Sequence, residues 1–188
     1  MKNILIIFGL LVNSVYGQNN SEIVNLDSIN FYFGEKLNSE RLKVGKPVVS
    51  FDVKYSVVEL DWIDKFFKNI KNQEDACNVS MKKGVPYVYS LPTMHGTDEN
   101  IYFNRYKKHF NYFTPMVGEN MAIVRSKDSL NYVDLNEKLF SQWVNSKRHY
   151  ENMLNIGDKL TYGKYCLVVR YIKYNGYYIY MGGLFLVS

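Results

Sequence analysis

The chain has 188 residues and a formal net charge of +5, and 47% of its residues are hydrophobic. A chain of this size can bury one core, and its 17 tyrosines and 11 phenylalanines exclude a disordered protein. The basic residues are scattered and form no known nucleic-acid-binding motif, so we attribute the charge to solubility and expect no nucleic-acid partner.

Residues 1–17 have the pattern of a secretory signal peptide. Lys2 provides a positive start, an apolar run follows to Val12, and Gly17 is small enough to precede a cleavage site. The alternative is a membrane anchor, but the apolar run is far shorter than the ~20 residues that a spanning helix needs. We therefore expect an exported protein, secreted or periplasmic, with a polar lead at 18–27 and no transmembrane segment after cleavage.

Two amphipathic helices are predicted in the first part of the mature chain. The first ends near Gly45, and either Asp27 or Ser28 is suited to cap it. The second begins at Asp52, after Pro47 has broken the pattern. The apolar residues at helical spacing are Ile29, Phe33, Leu37 and Leu42 in the first helix, and Tyr55, Val58, Trp62, Ile63, Phe66 and Ile70 in the second.

The middle of the chain has weaker patterns. Residues 71–85 are polar and contain glycine, the segment from Pro86 to Gly96 predicts a loop, and a short helical patch covers 103–110. Met121 and Ile123 then indicate a strand that begins directly after a turn. This strand is the first element of a predicted sheet.

The last third of the chain predicts two helices and a β-hairpin. Asp134 and Ser146 are suited to cap the two helices. Segments rich in Tyr, Val and Ile follow at 160–173 and 177–187, separated by Asn175-Gly176. Asn-Gly favours the type I′ turn that joins hairpin strands, because both residues tolerate a positive φ. Helices followed by these strands predict an α+β protein with an antiparallel sheet covered by helices.

Two cysteines, Cys77 and Cys166, are present. In an oxidising compartment they can form one disulfide, and the alternative is that each thiol packs as a small buried apolar group. The close cysteine pairs that zinc-thiolate sites use are missing, so we do not expect such a site.

Three groups of residues occur in a fixed order before the hairpin. They are Leu37-Asn38-Ser39-Glu40-Arg41 followed by Gly45, Pro47 and Asp52; His95 followed by Arg105 and Gly118-Glu119-Asn120; and Trp143, Asn145, Ser146, His149 and Asn152. This order resembles the CAP superfamily, which includes cysteine-rich secretory proteins, antigen 5 and plant pathogenesis-related proteins. The likeness is greatest to its cysteine-poor bacterial branch, with a G-E-N signature and a W-x-x-S-x-x-H-x-x-N pattern.

The resemblance implies a single domain over 28–188. Its fold would be a three-layer α-β-α sandwich, in which helices flank a small antiparallel sheet and a β-hairpin ends the chain. In this family the residues that match His95, Glu119 and His149 point into one surface cleft. Two neutral imidazoles and a carboxylate suit zinc and leave a fourth position for water or a ligand. Zinc is therefore the cofactor that we expect, if any is bound.

The chain departs from the family pattern beside this site. Ser146 stands where animal and plant members have a second glutamate, and Lys147-Arg148 replaces the usual Pro-Gly. Glu151 is near His149 in sequence, but residues two apart on a helix point to different sides, so we rank it low as a substitute. The loss of the second acid weakens the case for a metal.

Structural interpretations compete with these functional ones. Glu119-Asn120 would bond backbone groups and hold the start of the strand, and Trp143 would lie in the core. His109 matches no motif and is expected at the surface. Arg41 and Arg105 are expected to pair with carboxylates.

We favour a binding or interaction module whose cleft takes a small ligand, a lipid or a cell-envelope component, in a monomeric protein. The alternative is a metal-dependent hydrolase in which His95, Glu119 and His149 activate water, or Glu119 acts as the base. An enzyme is the less favoured class, because no Ser or Cys lies in a recognisable nucleophile motif. A third alternative is a structural or adhesive exported domain.

Overall fold

The structure is a computed structural model that describes residues 22–70, 80–82, 85–87, 106–110, 117–157, 161–174 and 176–188. The predicted signal peptide and five residues named above, Cys77, His95, Gly96, Arg105 and Asn175, lie outside the described residues. Within those ranges, no helix combines the length and the apolarity that crossing a bilayer requires.

Helices and strands alternate early in the chain, and a hairpin ends it. The elements are β1 (Glu22–Ile23), α1 (Leu26–Lys43), β2 (Ser50–Phe51), a 3-10 turn (Val53–Tyr55), α2 (Ser56–Ile70), β3 (Ser80–Lys82), β4 (Val85–Tyr87), β5 (Val117–Ser126), α3 (Tyr132–Val144), α4 (Lys147–Leu154), β6 (Lys164–Tyr174) and β7 (Tyr177–Val187). Residues 106–109 are also helical. The predicted α+β class is confirmed.

The main sheet has the strand order β1-β6-β7-β5, and the short β2 adds to β6 in parallel. All other pairs in this sheet are antiparallel. β6 and β7 pair along their whole length and form the predicted hairpin, and Gly176 at its turn has a φ of +76°. β3 and β4 form a separate two-stranded sheet.

Side chains on the two faces of the main sheet form two cores. The first core lies between the sheet and α1, α3 and α4, and the second lies between the sheet and α2 together with residues 106–110. Ala122 and Val124 of β5 belong to the first core, while Met121 and Ile123 belong to the second, as strand alternation requires. The structure is therefore an α-β-α sandwich with helices on both faces of the sheet.

The N-terminal caps of α1 and α3 differ from the prediction. Asn25 caps α1 by accepting a hydrogen bond from Ser28 N at 2.9 Å, and Asn131 caps α3 in the same way. Asp27 and Asp134 lie instead in the first turns of these helices. A carboxylate also stabilises that position, because it faces the positive end of the helix dipole. Sequence spacing alone did not separate the two roles.

The buried stripe of α1 continues through Arg41, and the prediction that Leu42 is buried is wrong. Ile29, Phe33 and Leu37 are fully buried, and the next position at the same four-residue interval is Arg41. Leu42 is rotated by about 100° around the helix axis from Arg41, away from the buried stripe, and 62% of its surface is exposed.

Arg41 binds backbone carbonyl groups rather than the carboxylate that we expected. Its Nε donates to Pro47 O at 2.9 Å, and its Nη1 donates to Met153 O at 2.8 Å. The side chain is fully buried, and burial lowers the pKa of its guanidinium. Arg41 lies in the last turn of α1 and Met153 near the end of α4, so the negative ends of two helix dipoles face this buried charge.

Cys166 has a free and fully buried thiol in β6, which is the second of the two alternatives considered for it. Burial raises the pKa of this thiol well above its ordinary value, and the Glu59 carboxylate raises it further. The thiol therefore packs as an apolar group in the second core.

Candidate functional site

Strand β5 carries the G-E-N residues. Glu119 pairs with Phe185 of β7, which belongs to the second core, so the Glu119 side chain lies on the α2 face of the sheet. It is buried, with 7% of its surface exposed. The adjacent Asn120 lies on the opposite face, toward α4, and is also buried.

Two asparagines join β5 to α4. Asn120 Nδ2 donates to His149 O at 2.8 Å. Asn152 Nδ2 donates to Glu119 O at 3.1 Å and to Asn120 Oδ1 at 2.8 Å. The backbones of Glu119 and His149, distant in sequence, are therefore held next to each other. The interpretation that Asn120 bonds a backbone group is confirmed.

Tyr162 extends this set of hydrogen bonds. Its hydroxyl donates to Asn152 Oδ1 at 3.0 Å. The hydroxyl also lies so near Gly118 that a Cβ atom there would collide with it, and the same Cβ would be 2.8 Å from Asn152 Oδ1. We call Gly118, Asn120, Asn152 and Tyr162 the β5–α4 junction. Tyr162 belongs to none of the sequence motifs, and no local pattern distinguishes it from the chain's other tyrosines.

Ser146 orients the ring of His149. Its Oγ lies 2.8 Å from His149 Nδ1. Ser146 is the N-cap residue of α4, as predicted, but its hydroxyl makes no cap hydrogen bond to the backbone. With Nδ1 engaged by Ser146, Nε2 is the atom with which this histidine would bind a metal, and metal-binding histidines commonly have such a second contact.

Trp143 fixes the helix that precedes α4. It is buried, as predicted, and its Nε1 donates to Met121 O in β5 at 3.1 Å. The bond holds α3 against the strand that carries Glu119. The tryptophan of the resemblance thus has a structural role in this chain.

Two other candidates, Glu151 and His109, have partners outside the β5–α4 junction. Glu151 lies 3.9 Å from Lys147 Nζ, and 42% of its side chain is exposed. His109 Nε2 lies 3.2 Å from Asp61 Oδ2, and 21% of the His109 side chain is exposed, so it lies at the surface in a partly covered position. Asp61 covers it from α2. The expected low rank of Glu151 agrees with its solvent-facing position.

The described residues include two of the three expected zinc ligands, Glu119 and His149. Within the described ranges, no three His, Cys, Asp or Glu side chains form a group that could hold a metal ion. His95 lies outside these ranges, so the third ligand stays a prediction. A carboxylate and an imidazole are donor types that zinc prefers, and Ser146 contacts the ring of His149. The Glu119 side chain lies on the α2 face and α4 packs on the other face, so one ion would have to bind both at the outer edge of β5, the end strand of the described sheet.

Sequence reasoning missed Glu59, a fully buried carboxylate on α2. Its Oε2 lies so near Gly183 that a Cβ atom there would collide with it, and the same Cβ would be 3.1 Å from Met121 Sδ. Met121 is two residues after Glu119 on β5, so both acids lie on the same face of the sheet. The available signal was that Glu59 lies at i+4 from Tyr55, within the apolar stripe of α2.

Comparisons with known proteins relate the fold but give no family. No family model matches the chain, and no curated protein matches it. Among solved structures, the chain is similar to an outer surface protein from Borrelia burgdorferi, with a TM-score of 0.52. The match covers 90% of this chain and 98% of that chain, at 12% sequence identity. An identity this low relates the two folds only.

Proposed function

We propose that this chain is an exported CAP-domain protein that binds a small ligand, a lipid or an envelope component in a cleft lined by His95, Glu119 and His149. The observation that supports it most is the direct bonding of two motifs of the resemblance. Asn120 of G-E-N donates to the backbone of His149, and Asn152 donates to the backbone of Glu119. The resemblance places these two motifs at one cleft, and the bonds bring their backbones together.

Two observations support a location outside the cytoplasm. Residues 1–17 have the charge and apolarity of a signal peptide. The chain also has the fold of a protein described as an outer surface protein. Export places the cleft where envelope components and extracellular small molecules are available to it.

Zinc is the ion that the cleft suits best in this proposal. Glu119 would bind it through the carboxylate, and His95 and His149 through their imidazoles. A bound zinc ion would supply a Lewis-acidic position that attracts an anionic or carbonyl oxygen of the ligand. The role of Ser146 would be to keep the His149 ring in the orientation that presents Nε2.

We prefer binding to hydrolysis because of what occupies the position of the family's second acid. That residue is Ser146, and its hydroxyl contacts His149 Nδ1. A serine hydroxyl can orient a ring, but at neutral pH it supplies neither negative charge to a metal nor a proton to a leaving group. The proposal therefore needs no catalytic acid at this position.

Zinc titration by calorimetry tests the proposal with variants of the chain's described histidines and its G-E-N acid. We expect one zinc ion per chain at micromolar affinity in the wild type. His149→Gln and Glu119→Gln should each weaken binding by about 10-fold or more, since each removes one ligand. His109→Gln is the matched control, because His109 pairs with Asp61 and belongs to no motif.

A wild-type protein that binds no zinc at stoichiometric level would contradict the metal site. Equal losses in all three variants would show that zinc binds elsewhere or nonspecifically. Thermal unfolding of each variant tests whether a loss of zinc binding results from a loss of folding. Hydrolysis screens with and without chelator then separate a binder from an enzyme.

A further inference from the structure

We propose that Tyr162 is a positioning residue for the Glu119–His149 site, although it contributes no atom to that site. The inference rests on the proposed function and deepens it. Tyr162 lies in the segment between α4 and β6, and only 4% of its surface is exposed. Its effect would pass through the two asparagines of the β5–α4 junction.

The first step is the direction of the hydrogen bonds in the junction. Tyr162 Oη donates to Asn152 Oδ1, Asn152 Nδ2 donates to Asn120 Oδ1, and Asn120 Nδ2 donates to His149 O. Every link has one donor and one acceptor, so the bonds form a continuous series from Tyr162 to the backbone of His149. Bonds arranged in this way polarise one another and strengthen the series.

The second step is the branch to the acid. Asn152 Nδ2 also donates to Glu119 O. An asparagine amide has two N–H donors, and here each has an acceptor, while the carbonyl oxygen accepts from Tyr162. The hydroxyl therefore helps to select the orientation of the Asn152 amide in which its NH₂ group faces β5. In the flipped orientation, the Asn152 oxygen would face the oxygens of Glu119 and Asn120.

The third step is the close packing at Gly118. A side chain at this position would displace the Tyr162 hydroxyl and press on Asn152 Oδ1. The absence of a side chain at Gly118 therefore leaves the space that the Tyr162 hydroxyl occupies in the junction. The Tyr162 hydroxyl is the nearest of the described atoms that a Cβ at Gly118 would meet.

The consequence concerns the relative position of two candidate ligands. Glu119 is on a strand and His149 is on a helix, and the junction bonds the backbone of each. A metal site needs its ligands within about 0.5 Å of the productive geometry, and loss of a second contact to a ligand commonly weakens metal binding by about 10- to 100-fold. Removal of one hydroxyl at Tyr162 should therefore weaken zinc binding without removing a ligand.

The experiment compares Tyr162→Phe with Tyr150→Phe. Tyr150 follows His149 on α4, and its hydroxyl donates to Glu40 Oε2 on α1 at 2.9 Å, outside the junction. Each variant removes the same atom from a partly or fully buried phenol near the site. We expect Tyr162→Phe to weaken zinc binding by about 10-fold and Tyr150→Phe to change it by less than about twofold.

Equal zinc affinity for wild type and Tyr162→Phe would overturn the inference. So would equal losses in the two variants, since these would indicate a general loss of stability. Gly118→Ala is a second variant, because its Cβ displaces the same hydroxyl, and it should weaken zinc binding as Tyr162→Phe does.

A metal-free measurement separates failure of this inference from failure of the proposed function. In nuclear magnetic resonance spectra, the side-chain amide protons of Asn120 and Asn152 should exchange slowly in the wild type and in Tyr150→Phe. They should exchange faster in Tyr162→Phe. If they do so while the wild type binds no zinc, the junction acts as proposed but the metal site is wrong. Unchanged exchange in Tyr162→Phe would refute the role of Tyr162 whatever zinc does.

Discussion

At the scale of single residues, Asn30 takes the place of a missing strand residue beside β6. β2 pairs with β6 at residues 164–165 and β1 at residues 170–171, which leaves Leu167 between them. Leu167 N donates to Asn30 Oδ1 at 2.7 Å, and Asn30 Nδ2 donates to Leu167 O at 2.8 Å. A side-chain amide has the same donor and acceptor as a peptide group, so it can complete the ladder.

We expect Asn30→Ala to lower the free energy of unfolding by about 2–6 kcal/mol. The change leaves two buried backbone groups of Leu167 without these partners, and each such group costs about 1–3 kcal/mol. Denaturant unfolding followed by circular dichroism measures the loss. Asn38→Ala is the control, because Asn38 makes the same pair of bonds to Val49 at a more exposed position. A loss no greater than that of the control would mean that water replaces Asn30.

At the scale of elements, an ion pair joins α2 to residues 106–110. Asp61 on α2 accepts from Lys108 Nζ and contacts His109 Nε2 at 3.2 Å. The hydrogen bond from Lys108 is the largest cause that lowers the pKa of Asp61, although slight burial opposes it. These contacts join the helical residues 106–109 to α2 at the border of the second core.

This pair predicts a pH-dependent stability. The folded pKa of Asp61 is lower than its unfolded value, so the unfolded chain binds more protons. The stabilisation is therefore present above about pH 4 and is lost as the pH falls through the folded pKa. Asp61→Asn should lower stability at pH 7 by up to about 1 kcal/mol, because the pair is partly exposed. Urea unfolding of wild type and Asp61→Asn at pH 7 and at about pH 2 measures this difference in stability.

Lys108→Met is the companion variant for this test. It should reduce the pH dependence that Asp61 contributes, because it removes the principal cause of the lowered pKa. At about pH 2, both variants should unfold with nearly the wild-type midpoint. A stability difference between wild type and Asp61→Asn that persists undiminished at that pH would show that the loss arises from packing rather than from charge.

At the scale of the whole molecule, helices cover both faces of the sheet. The reactivity of the Cys166 thiol measures whether α2 stays packed on its face. Cys166 lies on β6, between β7 and the short edge strands, and its side chain is in the second core beneath α2. The thiol is fully buried, and burial raises its pKa. Reaction of this thiol therefore requires α2 to separate from the sheet.

In a Cys77→Ser background, we expect Cys166 to react with an aromatic disulfide reagent only through unfolding. Its native labelling should be at least about 10³-fold slower than labelling in denaturant, and the rate should rise with denaturant as global stability falls. Adding Asn30→Ala should accelerate labelling in proportion to its loss of stability. Rapid labelling in native buffer would show that α2 opens independently of the rest of the sandwich.

Elements with a strong local pattern could be predicted from the sequence. The hairpin follows from two β-rich segments around Asn175-Gly176, and α1 follows from the four-residue spacing of Ile29, Phe33 and Leu37. Both depend on near neighbours in the chain. The caps of α1 and α3 could not be predicted, because several adjacent polar residues have suitable side chains. The burial of Arg41 could not either, since its carbonyl partner in α4 is 112 residues away.

The candidate site divides in the same way. Glu119 and His149 were identified from the sequence because each lies within a short motif, whereas Tyr162 and Glu59 became visible only when distant segments were placed together. The sequence by itself determined the α+β class, the terminal hairpin and the motif residues, since hydrophobic periodicity and turn chemistry act over a few residues. The tertiary structure decided which asparagines join helix to strand and which charges are buried, because those contacts arise only when the sandwich closes.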